Sequence, residues 1–225
     1  MCSQTHQIRC TQSTFLGKLQ STKVVLGRIL GFCYDALMTL FTGKGDGGTT
    51  KLFDSAQGVR VSKSSPIFEA LGMLDELNAL TGWCAIAADD LAVGEGRAAE
   101  ILRDVQDHLF TLQAEVAGSD KRIPENSVTA MSALIESIEH LLPETKTFLI
   151  LGDTELSARF DIARTVARRA ERRLVTLHES GDREISSPAR AYANRLSSLF
   201  YALARLTNLT NKAAAAQERA PHYRS

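Results

Sequence analysis

After residue 66, apolar residues recur every three to four positions through most of the chain, the period of helices that bury one face against each other. The clearest stripe is Ile101, Val105, Leu109, Leu112 and Val116, which predicts a helix over about 97–117. Val128, Met131, Leu134, Ile135, Ile138 and Leu142 predict another over about 125–142, stopped by Pro143. Val166, Ala170, Leu174 and Leu177 make the core face of a helix over about 154–179, with Thr154 suited to its N-cap and Gly181 past its end. Tyr192, Leu196, Leu199, Leu203 and Leu206 predict a last helix over about 187–216. The first helix, about 66–88, is less regular. Leu71, Leu74, Asn78 and Thr81 mix apolar and small polar residues on one side, and Pro66 fits a first turn. Gly94-Glu95-Gly96, Gly118 with Pro124, and a connection over 144–153 carrying Phe148-Leu149-Ile150-Leu151 punctuate the series. Long amphipathic helices on short loops predict an all-α, five-helix up-and-down bundle. Residues 41–65, rich in Gly and Thr, read as loop with at most one turn of helix.

Composition agrees with helices, since aromatics are only 6% and Ala and Leu are abundant after residue 67. Lysine plus arginine and aspartate plus glutamate both number 26. This balance gives no global electrostatic case for nucleic acid or an anionic membrane as a partner. No apolar run reaches a membrane-spanning length. Cys2, Cys10, Cys33 and Cys84 lack metal-ligand spacing and suggest no disulfide framework, so a reducing compartment is expected. Cys84, in an apolar helical stretch, reads as a small buried hydrophobe. His108, His140 and His178 fall on separate helices and read as boundary residues.

The first 37 residues differ from the rest, being hydroxyl-rich and basic with no acidic residue before Asp35. They read as a non-domain extension, preferably sequence upstream of a start at Met38. The alternative is an organellar transit peptide. The domain is expected over 38–217 and a frayed tail over 218–225.

Charge is concentrated at one place. Arg164-Thr-Val-Ala-Arg168-Arg169-Ala-Glu171-Arg172-Arg173 holds five arginines in ten residues. On a helix Arg164, Arg168 and Arg172 form one column beside Glu171. Like charges at that spacing repel by a few tenths of a kcal/mol per pair. The column is either a solvated face or a binding edge for something anionic, a polyphosphate or the carboxylates of another subunit. The second chemical segment is Thr42-Gly-Lys44-Gly45-Asp46-Gly-Gly48-Thr49-Thr50. Its glycines allow close backbone approach to an anion, its hydroxyls can bind phosphate oxygens, and Lys44 adds a point charge. It lacks the order of a Walker A loop, and such a segment on its own is most often just a flexible loop.

These segments carry a resemblance to the PduO-type ATP:corrinoid adenosyltransferases. Phe41-Thr42, Gly45-Asp46, Gly48 and Thr50 match that family's opening motif, followed by Arg60-Val-Ser-Lys63. Phe68-Glu69-Ala70-x-Gly72-x-x-Asp75-Glu76-Leu77-Asn78 matches its Asp-Glu-Leu core, and Phe148-Leu-Ile-Leu151 its Phe-Ile-Leu element. The Ala-Arg-x-x-x-Arg-Arg-Ala-Glu-Arg signature is complete from Ala163 to Arg172, and Asn194-Arg195-Leu196-Ser197 follows on the last helix. The match runs from residue 40 to about 212. The sequence departs at Gly43, where a basic residue is usual, at Leu151-Gly152-Asp153-Thr154 instead of Pro-Gly-Gly-[Ser/Thr], at Asp161 instead of histidine, and at Ser198 instead of an acidic residue.

The resemblance implies a ferritin-like five-helix bundle assembled as a homotrimer, with ATP between the N-terminal loop of one subunit and the arginine helix of the next. It implies ATP-binding roles for Thr42, Lys44, Gly45, Asp46, Gly48, Thr49, Thr50, Lys63, Arg164, Arg168, Arg172 and Asn194. Arg168, Glu171 and Phe148 form the expected catalytic set, Arg168 on the triphosphate and Phe148 covering the lower face of the corrin. The alternative for Phe148 is a plain core aromatic. Asp75 is the expected salt-bridge partner of Arg164 across the subunit interface. The implied reaction moves the 5′-deoxyadenosyl group of ATP to cob(I)alamin, with Mg²⁺ as cofactor and its ligands unassigned. A corrinoid reductase and an adenosylcobalamin-dependent mutase are the implied partners. A cytoplasmic location is expected, or the mitochondrial matrix if residues 1–37 are a transit peptide. The rival reading is a non-catalytic nucleotide- or corrinoid-binding carrier or sensor on the same scaffold, motivated by Gly43, Asp153 and Asp161.

Overall fold

The computed structural model describes residues 42–146, 148–211 and 221. The chain divides between Gly43 and Lys44 into two units. Of the first only Thr42 and Gly43 are described, so the expectation about residues 1–37 lies outside the described residues, as does that for 218–220 and 222–225 of the tail.

Within the second unit five helices are present among the described residues: α1 (Pro66–Ala87), α2 (Ala98–Val116), α3 (Glu125–Glu139), α4 (Glu155–Glu179) and α5 (Ser187–Thr210). Each begins within two residues of its predicted start. α3 ends at Glu139, three residues short of the expected stop, because Leu141 and Leu142 bond back to Ile138 and Glu139 in a tighter turn ahead of Pro143. Two antiparallel pairs were not foreseen. β1 (Thr49–Thr50) pairs with β2 (Val61–Ser62), and β3 (Ala92–Val93) pairs with β4 (Gly96–Arg97). The first replaces the helical turn expected within 41–65.

Helix α1 packs against α2 on one side and α4 on the other; α4 packs on α5, and α5 on α3. Two apolar flanks explain the weak periodicity of α1. Its buried residues include Leu74 and Leu77 but also Asn78, Thr81 and Cys84. Thr81 is tolerated in the core because its hydroxyl donates to the Leu77 carbonyl. Two of the largest buried side chains, Phe160 and Phe200, meet from α4 and α5 with ring centroids 6.5 Å apart. Each fully buried side chain of that size contributes roughly 1.5–3 kcal/mol. All four predicted core residues of α4 and all five of α5 are buried. In α3 only Met131 and Ile138 are, because that helix contacts the bundle mainly through α5.

Two polar devices set the helix entries. Thr154 and Ser157 form a reciprocal capping box at the start of α4. Buried Glu115 accepts from the backbone N–H of Ser186 (2.8 Å), the residue that caps α5. His108 stacks on Tyr192 with centroids 5.0 Å apart, donates from Nδ1 to the Asp104 carbonyl, and meets the Ser127 hydroxyl through Nε2. It is a structural boundary residue linking α2, α3 and α5.

Candidate active site

The Gly/Thr segment is an ordered turn rather than a slack loop. Gly48 N–H donates to the Gly45 carbonyl, and Gly48 takes φ +73°, a left-handed value that favours glycine. The turn leads into β1, whose pairing brings Arg60 and Lys63 beneath it. Arg60 donates through Nε to the Thr49 hydroxyl (2.9 Å) and through Nη2 to the carbonyls of Lys44 (2.7 Å) and Thr49 (2.6 Å). Lys63 donates through Nζ to the Gly45 carbonyl (3.0 Å). Two cations thus bind the carbonyl side of the loop. Asp46 is exposed and Thr50 half-buried. Thr42 lies on the far side of the division at Gly43. Arg60 was quoted within a motif in the sequence but given no role; its position just ahead of the strand that pairs with β1 is what reveals one.

On α4 the five arginines separate by face. Arg169 and Arg173 turn toward α1, where Arg169 pairs with both oxygens of Glu76 (2.8 and 3.0 Å) and Arg173 with Glu69 (3.5 Å). Neutralisation of the arginine segment therefore extends beyond Glu171, since two carboxylates come from the facing helix. Arg164, Arg168 and Arg172 line the other edge, toward α5. Among the described residues Arg168 and Arg172 have no carboxylate within 4 Å, and both are exposed. Arg164 is half-buried, and among the described residues it faces the carboxylate of Asp161, Nε to Oδ1 3.7 Å. Asp75, its expected partner from a neighbouring subunit, is exposed on α1. Glu171 accepts from Asn194 Nδ2 (2.7 Å), and Arg195 donates to Asn194 Oδ1 (2.8 Å) and to Ser132 (3.2 Å). The Asn-Arg-Leu-Ser element thus ties α5 to both α4 and α3.

Two open clefts meet at Arg168. One, of about 440 Å³, is lined by Arg168, Glu171, Arg172, Val175, Thr176 and Asn194. The other, of about 380 Å³, has Arg164 and Arg168 on one wall, Ser197, Ser198 and Tyr201 on another, and Phe148, Leu149 and Leu151 above them. Phe148 is 83% exposed, so it is not a core aromatic. Ser198 was noted in the sequence only as a departure from the family pattern, and Tyr201 was missed there. Their spacing of four and seven from Asn194 puts all three along one edge of α5, opposite the arginine column. No residue of the 44–63 loop lines either cleft in this chain. Among the described residues no group of three His, Cys, Asp or Glu side chains is placed to hold a metal ion.

The next connection, 148–153, is held from below. Asp161 is buried on α4, and its Oδ2 accepts from Gly152 N–H (3.1 Å). Desolvation raises its pKa above the usual carboxylate range, against the opposing pull of the Gly152 hydrogen bond and the Arg164 charge. At the far end of the same connection Asn208 donates to Asp153 (3.4 Å).

Among the described residues, a five-helix bundle thus carries two arginines without a carboxylate partner beside a partly apolar cleft under an exposed aromatic. The model of the cobalamin adenosyltransferase family matches residues 40–207, and the chain belongs to that family. It is 39% identical over 175 residues to the corrinoid adenosyltransferase PduO of Citrobacter freundii, covering 75% of this chain and 49% of that protein. It is 35% identical over 175 residues to the corrinoid adenosyltransferase of Bacillus subtilis, covering 76% of this chain and 87% of that one. The chain therefore spans about half the length of the PduO relatives it matches, and most of the Bacillus one. A variant of the PduO-type ATP:corrinoid adenosyltransferase from Lactobacillus reuteri, complexed with cobalamin and ATP, superposes with a TM-score of 0.66 at 26% identity, over 76% of this chain and 94% of that one. A second variant of the same protein, complexed with ATP, gives 0.67 at 26% identity with the same coverage. No described helix is long and apolar enough to cross a membrane.

Proposed function

We propose that the protein transfers the 5′-deoxyadenosyl group of ATP to the cobalt of a reduced corrinoid and releases triphosphate. The observation that carries this reading is the junction at Arg168, where a cationic groove and the cleft beneath Phe148 share one guanidinium. In the reaction the Co(I) electron pair attacks the 5′ carbon, a cobalt–carbon bond forms, and the carbon–oxygen bond breaks with its electrons leaving on the triphosphate. No side-chain base is needed. The protein's task is to align the two substrates and stabilise the departing charge. Arg168 and Arg172 suit the second role because among the described residues no carboxylate already neutralises them. Glu171, held by Asn194, fixes that edge. Phe148 and its apolar neighbours suit the lower face of a corrin, where they would exclude water and axial bases.

The nucleotide is proposed to lie between copies. The 44–63 turn lines neither cleft of its own chain, which supports a homotrimer in which the turn of one subunit faces the arginine edge of the next. In that arrangement Thr42, Lys44, Gly45, Asp46, Gly48, Thr49, Thr50 and Lys63 would contact ATP, and Asp75 would meet Arg164 of its neighbour. The described residues offer no dedicated metal cluster, so Mg²⁺ would arrive on the phosphate oxygens of ATP. Because Co(I) is a strong reductant, the reaction calls for a reducing compartment such as the cytoplasm and for a corrinoid reductase as supplier. An adenosylcobalamin-dependent mutase would consume the product.

The test is incubation with ATP and chemically reduced cobalamin, read by the visible spectrum and by triphosphate release. Cobalt–carbon bond formation with one triphosphate per turnover is expected. Tight binding of both substrates without alkylation would instead establish a carrier or sensor. Sedimentation of the full chain at three times the protomer mass is expected for the assembly.

A further inference from the structure

Resting on that reading, we infer that Asp161 is a positioning residue that fastens the Phe148-bearing segment to the arginine edge, one carboxylate oxygen holding Gly152 and the other facing Arg164. The two contacts point in different directions from one buried side chain. Oδ2 accepts from Gly152 N–H at 3.1 Å, four residues along the chain from Phe148. Oδ1 stands 3.7 Å from Arg164 Nε, too far for a hydrogen bond, and both of those atoms are buried with no other hydrogen-bond partner. Unsatisfied donors and acceptors facing each other across less than 4 Å mark a contact ready to tighten. Arg164 lines the cleft beneath Phe148, so a shift of its guanidinium toward Asp161 changes the wall that a corrin would meet. Gly152 has φ +83°, which lets the backbone turn its N–H inward at this point.

The groups around this carboxylate also set when it carries charge. Arg164 comes from its own helix, Asp153 from the tethered segment, and Arg205 and Tyr201 from α5 border the same small cavity. Arg205 is drawn off to the Pro143 carbonyl (2.7 Å), and Asp153 opposes ionisation. Protonation would leave Asp161 able to accept from Gly152 but would end its attraction for Arg164. The tether and the charge are therefore separable by substitution. Asp161→Asn keeps an acceptor for Gly152 and removes the charge, while Asp161→Ala removes both.

The full-length wild type and both variants are compared in KM for reduced cobalamin, KM for ATP, pH profile, and hydrogen exchange of the 149–153 backbone. Asp161→Ala is expected to raise the corrinoid KM about fivefold, the factor for one lost hydrogen bond, with ATP KM changed less than about twofold and exchange markedly faster. Asp161→Asn is expected to keep wild-type exchange, and to show at every pH the lowered corrinoid kcat/KM that the wild type reaches only as pH drops toward the ordinary aspartate range, with no acid limb of its own. Equal changes in both KM values, or exchange in Asp161→Ala as slow as in the wild type, would overturn the inference. So would an unchanged acid limb in Asp161→Asn, which also decides the matter if the alanine variant does not fold. A wild type that binds but does not alkylate defeats the proposed reaction, while the exchange comparison still judges the tether.

Discussion

Arg168 and Arg169 are neighbours in sequence and should fail in opposite ways when truncated. Arg169 reaches across to α1 and donates from Nη2 to both carboxylate oxygens of Glu76, the two side chains 45% and 43% exposed. At that exposure the pair is worth at most about 1 kcal/mol, or a melting shift of roughly 2–4 °C for a domain of this size. Arg168 has no carboxylate partner among the described residues, so its loss should move stability by less than about 0.5 kcal/mol. Its cost falls on the reaction. A guanidinium about 4 Å from a phosphate charge contributes about 4 kcal/mol at an effective dielectric near 20. Removing one preorganised donor from a developing anion typically lowers kcat by about 10²–10³. Arg168→Ala is therefore expected to lose at least about a hundredfold in cobalt alkylation while melting like the wild type. Arg169→Ala should melt a few degrees lower and retain most of its turnover. The assay is single-turnover alkylation of reduced cobalamin beside calorimetry on the same samples. Arg168→Ala within tenfold of wild type would refute the assignment, as would an Arg169→Ala that is folded yet equally inactive.

Other outcomes follow from the same geometry. Arg60→Ala removes three hydrogen bonds beneath the glycine turn and should raise the ATP KM roughly 5- to 30-fold with kcat little changed, measured by steady-state kinetics at saturating corrinoid. Asp54 is held below its ordinary value of 3.8, first by the hydrogen bond from Arg183. Its contribution to stability is present above that ordinary value and is lost as pH falls through the lowered one. Urea midpoints from pH 7 to 3 should therefore drop less on the acid side for Asp54→Asn than for the wild type. Asp161 has the opposite sign, since the cost of burying its charge is present above its raised pKa and relieved as pH falls through it. Urea midpoints of Asp161→Asn should therefore gain most on the wild type near neutrality. Burial pushes the Cys84 thiol up to about 12, so iodoacetamide should leave it unlabelled in the native protein and label it in urea, read by mass spectrometry of its peptide.

The helices were legible because each buries a single apolar stripe, and a stripe at helical period needs no knowledge of its partner. Where the partner decides, the sequence was mute. α1 buries two flanks, so its Asn78 and Thr81 looked like interruptions until α2 and α4 were seen on both sides. The β1–β2 pair is two residues long on each strand, below the length at which alternation can be read. For the site, the column Arg164, Arg168, Arg172 followed from period alone. What separates it from Arg169 and Arg173 is the pair of glutamates on α1, nearly a hundred residues away in sequence. Glu69 and Glu76 were quoted within a motif but could not be matched to particular arginines without the antiparallel packing of α1 on α4. Asp161 was seen only as a departure from a pattern, and its hydrogen bond to Gly152 depends on a backbone reversal that no side-chain period encodes.

The division of the arginines also explains how a bare cationic edge can persist in a stable bundle. Repulsion between exposed like charges one turn apart costs only a few tenths of a kcal/mol per pair, because water screens them. The α1-facing arginines and their glutamates offset part of that cost within the chain. The remaining edge is thus inexpensive to maintain in solvent and becomes strongly attractive only when water is displaced from it, since the same charges interact several times more strongly at lower effective dielectric. Binding of polyphosphate and approach of a second copy would both displace that water. If assembly closes the groove as proposed, raising ionic strength should weaken ATP binding to an isolated protomer far more than to the assembled protein. Equal salt dependence in the two forms would show that the groove stays open to solvent and that assembly adds nothing to its charge.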